Sequence, residues 1–268
     1  MLDASRMSFL GTRGLARLRA ATVTVLGAGG GGSHMVQQLA HMAIGRIVVI
    51  DPDRLDASNV NRVVGAGYAD IGRLKTEILV ERFSGLGAQL EAVPTRAETA
   101  DGCRWMERSN LVFGALDGFR PRDNVERICR SALVPYIDIG LKIVADRTGA
   151  VTAVGGQVVT SVPNGPCLRC AGIITDENLA RDREEYAAGP PEQQVISMNG
   201  LLASQAVTIA LALLTGFTTS HSLAPHLLYD GLEHSLRTNT YLPDFPCPHY
   251  PLQDAGWAVV LPPKRGAS

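Results

Sequence analysis

The sequence predicts an α/β fold, with a Rossmann-like, mostly parallel sheet and an antiparallel C-terminal extension. An apolar run at residues 22–26 leads directly into a glycine-rich turn at residues 27–32 and then into a helical stretch at residues 33–42. A second apolar run, at residues 46–50, ends in Asp51. Strand, glycine turn, helix and strand in this order form the opening unit of a dinucleotide-type fold.

Later segments continue this alternation. Apolar runs at residues 89–93, 111–115 and 136–139 predict further strands, and stretches at residues 75–83 and 120–132 predict helices between them. Strands that alternate with helices in this way favour a parallel sheet.

The second half of the chain has a different character. Weak alternation at residues 151–160 predicts an antiparallel strand, and two more strands are expected at residues 226–230 and 235–241. Between them lies a long polar stretch, residues 163–194, and a loop of that length is usually functional or mobile. The most apolar segment, residues 195–217, contains several polar side chains. We therefore expect a buried or subunit-interface helix there rather than a membrane span.

The bulk properties fit one globular domain. The chain has 268 residues, of which 46% are hydrophobic and 19% charged, and its net charge is -1. This length suits one large α/β domain or a domain with a small appendage. The near-neutral charge gives no indication of nucleic acid or an anionic membrane as the main partner. The N-terminus lacks the continuous apolar stretch of a secretory signal, so we expect a cytoplasmic protein.

The glycine-rich turn predicts a phosphate-binding site. Glycine lets the backbone turn tightly and lets phosphate approach main-chain N–H groups, and the start of the following helix adds partial positive charge. We assign nucleotide binding to Gly27, Gly29, Gly30 and Gly32, and the ribose hydroxyls to Asp51 at the end of the second strand. Alone, this pattern leaves NAD possible.

Three further segments narrow the choice of nucleotide. The run Ser58-Asn59-Val60-Asn61-Arg62 is followed by Gly72-Arg73-Leu74-Lys75, and Leu116-Asp117-Gly118 comes after the strand predicted at residues 111–115. Together with the acidic strand end, these segments resemble the ThiF/MoeB/HesA family of adenylating enzymes, relatives of the ubiquitin-activating enzymes, over about residues 6–241. The family typically has Asp-Asn where this chain has Asp117-Gly118, so Gly118 departs from its pattern.

The resemblance implies ATP-dependent adenylation of the C-terminal carboxylate of a ubiquitin-like or sulfur-carrier protein, with release of pyrophosphate. A carboxylate then approaches a triphosphate, so positive charge must be supplied where negative charge accumulates. Arg62 and Lys75 suit this role, and Asp117 offers the hard oxygen that magnesium prefers. The remaining nucleotide contacts are expected from the Ser-Asn run, at Ser58, Asn59 and Asn61.

By the same resemblance, residues 1–268 form a single ThiF-type adenylation domain. Its expected parts are an N-terminal arm (1–20), a nucleotide-binding half (21–140), a carrier-binding half (141–250) with a crossover loop (163–194) over the carrier's tail, and a C-terminal tail (251–268). In the family an N-terminal arginine often reaches across a dimer to the partner's ATP, and Arg6 stands roughly where it is expected. A solvated terminal charge is the alternative. If Arg6 does reach across, the active unit is a homodimer.

The sequences of the glycine turn and of the Ser-Asn-Val-Asn-Arg run resemble those of stand-alone bacterial homologues more than those of the molybdopterin or thiamin enzymes of the family. Such homologues are often found alongside ubiquitin-like, ubiquitin-conjugating-like and deubiquitinase-like partners. The resemblance therefore points to a bacterial ubiquitin-like conjugation pathway, with a ubiquitin-conjugating-like enzyme as a further partner.

The five cysteines favour metal binding or thiol chemistry over disulfides, because no secretory signal is present. The family often holds a structural zinc between two Cys-x-x-Cys pairs. Here Cys167 and Cys170 form one pair, and the second is reduced to Cys247 and His249. A zinc site with three thiolates and one imidazole is chemically sound. A degenerate site that holds no metal is the alternative.

A catalytic thioester would require a further cysteine. Some relatives pass the activated carrier to an enzyme cysteine, often in the loop that corresponds to residues 163–194, but residues 171–194 contain none. Cys103 and Cys129 remain, on expected helices, where a buried inert thiol is the simpler interpretation. We therefore expect adenylation without an obligatory internal thioester.

Other functions remain as alternatives. A relative of the family could adenylate a small molecule, a tRNA nucleoside or a peptide, and a non-catalytic partner subunit could keep the fold without using ATP. Arg62, Lys75 and Asp117 argue against a non-catalytic subunit, and the near-neutral charge argues mildly against tRNA. An NAD oxidoreductase ranks last, because the Ser-Asn-x-Asn-Arg run has no role in hydride transfer.

Overall fold

The computed structural model describes residues 3–185, 193–218, 224–242 and 247–251. A 3-10 helix over Ser5–Leu10 precedes the first α-helix, and two short 3-10 turns follow the second strand. The helices are α1 Gly11–Ala20, α2 Gly30–Ala40, α3 Lys75–Phe83, α4 Ala100–Glu107, α5 Phe119–Ser131, α6 Asp176–Glu185 and α7 Ile196–Thr215. The strands are β1 Thr22–Leu26, β2 Arg46–Ile50, β3 Gln89–Val93, β4 Leu111–Gly114, β5 Tyr136–Ala145, β6 Val151–Ser161, β7 His226–Asp230 and β8 Ser235–Thr238.

The eight strands form one sheet in the order β3-β2-β1-β4-β5-β6-β7-β8. The first five strands pair in parallel, and β6, β7 and β8 continue the sheet in antiparallel pairing. The predicted fold class is therefore confirmed. The order of the five parallel strands is that of a dinucleotide-type sheet, so the carboxyl ends of β1, β2 and β4 meet at one edge, where such folds bind ligands.

The two faces of the sheet enter separate hydrophobic cores. Val25 of β1 belongs to the core that contains residues of α2 and α7, and Leu26 belongs to the core with Met106 of α4 and Val125 of α5. Central strands buried on both faces are typical of a parallel sheet between two helix layers. Because burial of each large apolar side chain contributes about 1.5–3 kcal/mol, the strands are held rigidly beneath the loops that follow them.

Helix α7 is the apolar segment that the sequence predicted. By length and composition it could cross a membrane, and it is the one helix of that kind in the described ranges. It packs against α1, α2, β5 and β6, and Leu202, Ala206 and Ala210 on it are buried. These contacts make it a core helix of the domain, as expected.

Two helices go beyond the sequence expectation, namely α1 and α6. Helix α6 lies within the expected crossover loop at residues 163–194, so the described part of this stretch is not a loop throughout, and residues 186–192 lie outside the described ranges. Strand β5 extends to Ala145, past the expected division at residue 140, because it pairs with β6 along its length. Of the expected tail, residues 252–268 lie outside the described ranges, and the proposed division of the domain stays a prediction.

Candidate active site

The glycine-rich turn joins β1 to α2 in very little space. Gly27 has a φ of 88°, a region that favours glycine, and a Cβ there would overlap the carbonyl oxygen of Ala115 after β4. A Cβ on Gly32 would overlap the carbonyl oxygen of Gly27, and one on Gly30 would overlap the side-chain amide of Asn199. These glycines are therefore required for packing, which brings the backbone of α2 close to β4 and α7.

Asp51 fastens this turn to the end of β2. Its Oδ2 accepts a hydrogen bond from the N–H of Ala28 at 2.6 Å, and its Oδ1 accepts one from the N–H of Asp53 at 2.7 Å. Burial raises the pKa of Asp51 above its usual range, and the two backbone N–H groups and Lys75 act in the opposite direction. Each carboxylate oxygen retains a lone pair with which it could accept a hydroxyl.

A cavity of about 580 Å³ opens at this edge of the sheet. It brings together seven of the predicted nucleotide residues, namely Gly29, Gly30, Asp51, Asn59, Arg62, Lys75 and Asp117. The other predicted residues do not line it, and they are Arg6, Gly27, Gly32, Ser58 and Asn61. Arg6 is exposed on the 3-10 helix near the N-terminus.

Two of those other residues hold a cation of the cavity. Arg62 donates from Nη1 to the carbonyl oxygen of Ser58 at 2.7 Å and to Oδ1 of Asn61 at 3.3 Å. Ser33 of α2 accepts a hydrogen bond from the N–H of Val64 at 3.0 Å, which ties this segment to the glycine turn. Ser58 and Asn61 therefore orient Arg62 in this structure.

The second cation, Lys75, is the first residue of α3 and is 8% exposed. Its Nζ donates to Oδ2 of Asp53 at 3.0 Å. The Asp53 side chain is 63% exposed, so solvent weakens this ion pair. A more highly charged phosphate could therefore replace Asp53 as the partner of Lys75.

A buried ionic group beneath the cavity was not foreseen from the sequence. Arg122 of α5 lines the cavity and donates to both carboxylate oxygens of Asp138, at 3.0 and 2.5 Å, and to the carbonyl oxygen of Ile139. Tyr136 donates from its hydroxyl to Oδ1 of Asp138 at 2.8 Å. A Cβ on Gly140 would lie 2.6 Å from Nη2 of Arg122. The ion pair of Arg122 and Asp138 therefore fixes the floor of the cavity where β5 passes over α5.

Further cavity residues come from the second half of the chain. Those on β5 and β6 are Ile139, Gly140, Leu141, Lys142, Gly155 and Gln157, those on α6 are Asn178 and Arg181, and those next to or on α7 are Gln194 and Asn199. They belong to three separate segments, and no local spacing in the sequence links them to the glycine turn. The one available signal was the lack of side chains at Gly155, within an expected strand, and at Gly140, directly after one.

The cysteine and histidine candidates form one cluster. The ligand atoms of Cys167, Cys170, Cys247 and His249 all lie within 4.8 Å of one another. The sulfurs of Cys167 and Cys170, and those of Cys170 and Cys247, are 3.6 Å apart, and Nδ1 of His249 is 3.4 to 4.0 Å from the three sulfurs. A tetrahedral zinc with bonds of about 2.3 Å separates its sulfur ligands by about 3.8 Å. The four residues therefore fit zinc, although His249 follows Cys247 so closely.

Helix α5 supports this cluster. Buried Arg130 donates from Nε to Ser161 and from its terminal nitrogens to the carbonyl oxygens of three residues that precede Cys167, namely Val162, Gly165 and Pro166. One turn earlier, Glu126 accepts hydrogen bonds from the N–H of Leu168, and its burial raises its pKa to about 7. Both contacts hold the Cys-x-x-Cys turn against α5.

The two other cysteines lie away from the cavity. Cys129 is fully buried in α5, and burial raises the pKa of its thiol. Cys103 in α4 is partly buried, and burial likewise raises its pKa. No cysteine is among the described residues that line the cavity. A thiol with a raised pKa is a poor nucleophile at neutral pH.

A glycine turn at the carboxyl edge of a parallel sheet, with Arg62, Lys75 and several carboxylates beside it in one cavity, defines a nucleotide-binding α/β protein built to bind phosphate groups. The antiparallel extension and the Cys₃His cluster narrow this class. The chain belongs to the ThiF family, whose model matches residues 2–247.

Comparison with individual proteins supports this membership. The chain is 32% identical to the SAMP-activating enzyme E1 of Haloferax volcanii over 166 residues, which cover 61% of this chain and 58% of that enzyme. It is 29% identical to the sulfur carrier protein adenylyltransferase of Thermus thermophilus over 261 residues, which cover 89% of this chain and 85% of that protein. The fold is similar to that of Escherichia coli MccB in a crystal structure with ATP, with a TM-score of 0.68 and 20% identity, over 84% of this chain and 65% of MccB.

Proposed function

We propose that the protein uses ATP to adenylate the C-terminal carboxylate of a ubiquitin-like or sulfur-carrier protein and releases pyrophosphate. The observation that carries this proposal is that Gly29 and Gly30 of the glycine turn, Arg62, Lys75 and Asp117 all line the same cavity. The Thermus relative, which matches over most of both chains, is a sulfur carrier protein adenylyltransferase. The product on the carrier is an acyl-adenylate.

The residues of the cavity divide the work of binding ATP. The N–H groups at the start of α2 face the phosphates, and the helix dipole favours negative charge there. Asp51 accepts hydrogen bonds from the ribose hydroxyls, and Asn59 donates a hydrogen bond to a phosphate or to the ribose. Arg62 and Lys75 neutralise the charge that builds up as the carboxylate attacks the α-phosphate. Lys75 leaves Asp53 for this purpose.

Asp117 is the residue that we assign to magnesium. It follows β4 and is exposed in the cavity, and a carboxylate is the oxygen ligand that magnesium prefers. When bound, the ion would neutralise phosphate charge and favour departure of pyrophosphate.

The carrier's tail is assigned to the part of the cavity wall that the paired strands β5 and β6 form. Gly140 and Gly155 line the cavity there without side chains, and Gln157 and Lys142 flank them. An extended Gly-Gly tail would fit this part of the wall and would end near the α-phosphate. Residues 163–194 would cross over it and hold it for attack.

Several further assignments complete the proposal. The Cys₃His cluster holds a structural zinc. No cysteine of the described cavity wall is available for a thioester, so the acyl-adenylate is the product that a partner, such as a ubiquitin-conjugating-like enzyme, receives. The protein works in the cytoplasm, in a bacterial ubiquitin-like conjugation pathway.

A homodimer is proposed as the active unit. Exposed Phe9 packs edge-on against partly exposed Phe217 after α7, and Leu201 on α7 is also partly exposed. Arg6 precedes Phe9 by three residues on the same 3-10 helix and lies outside the cavity of its own chain. Sedimentation equilibrium tests this assignment, since a monomer at working concentration excludes a role for Arg6 across the interface.

ATP–pyrophosphate exchange with purified candidate carriers tests the proposed function. Exchange should require a carrier with an intact C-terminal tail. Asp117→Ala should lower the exchange rate by about 100-fold or more, the effect of losing one group that stabilises transition-state charge. The matched control is Asp101→Ala, which removes an exposed carboxylate of α4 outside the cavity and should leave the rate unchanged.

The other outcomes separate the alternatives. Exchange that needs a peptide or a tRNA instead of a carrier protein would replace the proposed substrate. An ATP-independent complex with a carrier would indicate a non-catalytic subunit. Full exchange in Asp117→Ala would disprove the magnesium assignment.

A further inference from the structure

The N-terminus of α5 lies directly after Asp117, and the residue at its cap position has no side chain. Gly118 occupies this position and makes no side-chain hydrogen bond. The first N–H groups of a helix have no partner within the helix, and the cap residue normally supplies an acceptor. At α5 the acceptor must therefore come from another part of the chain.

Asp182 of α6 supplies it. Its Oδ2 accepts hydrogen bonds from the N–H of Phe119 at 2.6 Å and from the N–H of Arg120 at 2.7 Å. Hydrogen bonds to an ionised acceptor are stronger than neutral ones, and the dipole of α5 adds to the attraction. The two segments are about 60 residues apart in sequence, so this is a tertiary contact and not a local cap.

Glycine at position 118 fits this contact. Gly118 has a φ of 80°, which disfavours any other residue, and a Cβ there would lie 3.3 and 3.5 Å from the two carboxylate oxygens of Asp182. The missing side chain at 118 and the carboxylate at 182 are therefore complementary.

Helix α6 also forms part of the cavity wall. Asn178 and Arg181, about one turn apart on α6, line the cavity that Asp117 lines from the other side of the contact. Arg120 adds a hydrogen bond from Nη2 to the carbonyl oxygen of Leu179 at 3.5 Å. When α6 lies against α5, the same contact places these side chains and fixes the backbone after Asp117.

We propose that Asp182 is a positioning residue, which couples docking of α6 to the placement of Asp117 for magnesium binding. Asp182 acts through the backbone of residues 118–120 and does not touch the nucleotide. The inference rests on the proposed function, in which Asp117 holds magnesium. By this contact, the position of α6 in the cavity wall and the position of Asp117 depend on each other.

Two measurements on Asp182→Ala test this inference. Binding of a non-hydrolysable ATP analogue is titrated with Mg²⁺ by calorimetry, and the Mg²⁺ concentration at half-maximal binding should rise about fivefold, in line with the loss of one helix cap. Binding of the same analogue in EDTA should not change. Hydrogen exchange of the Phe119 and Arg120 amides should become about tenfold faster, because both lose their acceptor.

Matched variants make the result specific. Asp176→Ala removes the same charge from the exposed first turn of α6 and should leave the Mg²⁺ midpoint and both amides as in the wild type. Asp182→Asn keeps one acceptor oxygen and should give a smaller shift, and this variant decides the matter should Asp182→Ala not fold. An unchanged midpoint in a folded Asp182 variant, or an equal shift in Asp176→Ala, overturns the inference. If the wild type binds no ATP, the proposed function fails as well.

Discussion

Gly32 illustrates how a single position in the glycine turn can serve packing without touching a ligand. A Cβ there would overlap the carbonyl oxygen of Gly27, whereas a Cβ on Gly29 would have no heavy atom within 4 Å. Gly29 lines the cavity and Gly32 does not. Two glycines three residues apart in one motif therefore have different physical roles.

This difference predicts opposite phenotypes for two alanine substitutions. Gly32→Ala should lower the free energy of unfolding by about 1–3 kcal/mol or more, because the added methyl group overpacks the turn. Gly29→Ala should cost about 1 kcal/mol in stability, because alanine is the poorer N-cap residue for α2 but its Cβ meets no heavy atom within 4 Å. It should weaken ATP binding instead, because its methyl group enters the cavity.

Urea unfolding and calorimetric titration with ATP measure the two effects separately. Equal stability of the two variants would show that the turn relaxes around the methyl group of Gly32→Ala.

At the scale of elements, the antiparallel extension contains a buried histidine at the start of β7. His226 is 2% exposed, and its Nδ1 accepts a hydrogen bond from the side-chain amide of Asn239 at 3.1 Å. Its Nε2 has no hydrogen-bond partner among the described residues. Burial therefore lowers the pKa of His226 below its usual value of 6.5.

The sign of this shift predicts acid sensitivity. The unfolded chain binds a proton more readily than the folded one, so the contribution of His226 is fully present above pH 6.5 and is lost as the pH falls through the folded pKa. His226→Asn keeps an acceptor near the position of Nδ1 but cannot ionise. The stability advantage of the wild type over this variant, from urea unfolding, should shrink between pH 7.5 and pH 5.5. A constant difference would exclude His226 as a source of acid sensitivity.

The elements also show what the sequence could predict. Apolar runs and the glycine turn correctly placed β1 and β2, since their burial follows from local pattern. The expected bounds of β3, a less buried strand at the edge of the sheet, are also confirmed. Helix α6 has mostly charged and polar residues, and its contact with α5 through Asp182 depends on a partner about 60 residues away.

The residues of the candidate site likewise fall into those that sequence patterns could group and those that only tertiary packing brings together. Asp51, Lys75 and Asp117 each stand at a recognisable distance from a strand or helix start, so the sequence pattern could group them. Arg122 and Asn199 reach the cavity only because α5 passes beneath β5 and α7 packs against α2. Such residues depend on tertiary packing, which spacing within one segment does not encode.

At the scale of the whole molecule, the Cys₃His cluster joins two distant parts of the chain. Cys167 and Cys247 are separated by β7, β8 and helices α6 and α7, yet both contribute to one set of ligand atoms. A metal there would act as a cross-link that closes this part of the fold.

Metal analysis should therefore find one zinc per chain. Cys247→Ser should lower the zinc content and the thermal midpoint, the latter by roughly 6–12 °C if the cross-link contributes about 3 kcal/mol. Cys103→Ser is the matched control, because Cys103 lies outside the cluster, and it should change neither quantity. A metal-free wild type with the same midpoint as Cys247→Ser would identify a degenerate site.

Helix α5 connects the floor of the cavity to the Cys₃His cluster. Arg122 supports the cavity floor, and Glu126 and Arg130 hold the Cys-x-x-Cys turn one and two turns later. These three residues lie near one face of the helix, and about 12 Å of helix axis separates the first from the last. One residue inserted between Arg122 and Glu126 would rotate Glu126 and Arg130 by about 100° relative to Arg122. The helix could then no longer support the cavity floor and hold the Cys-x-x-Cys turn together. The spacing of these three residues along α5 therefore has to be kept for one helix to support both sites.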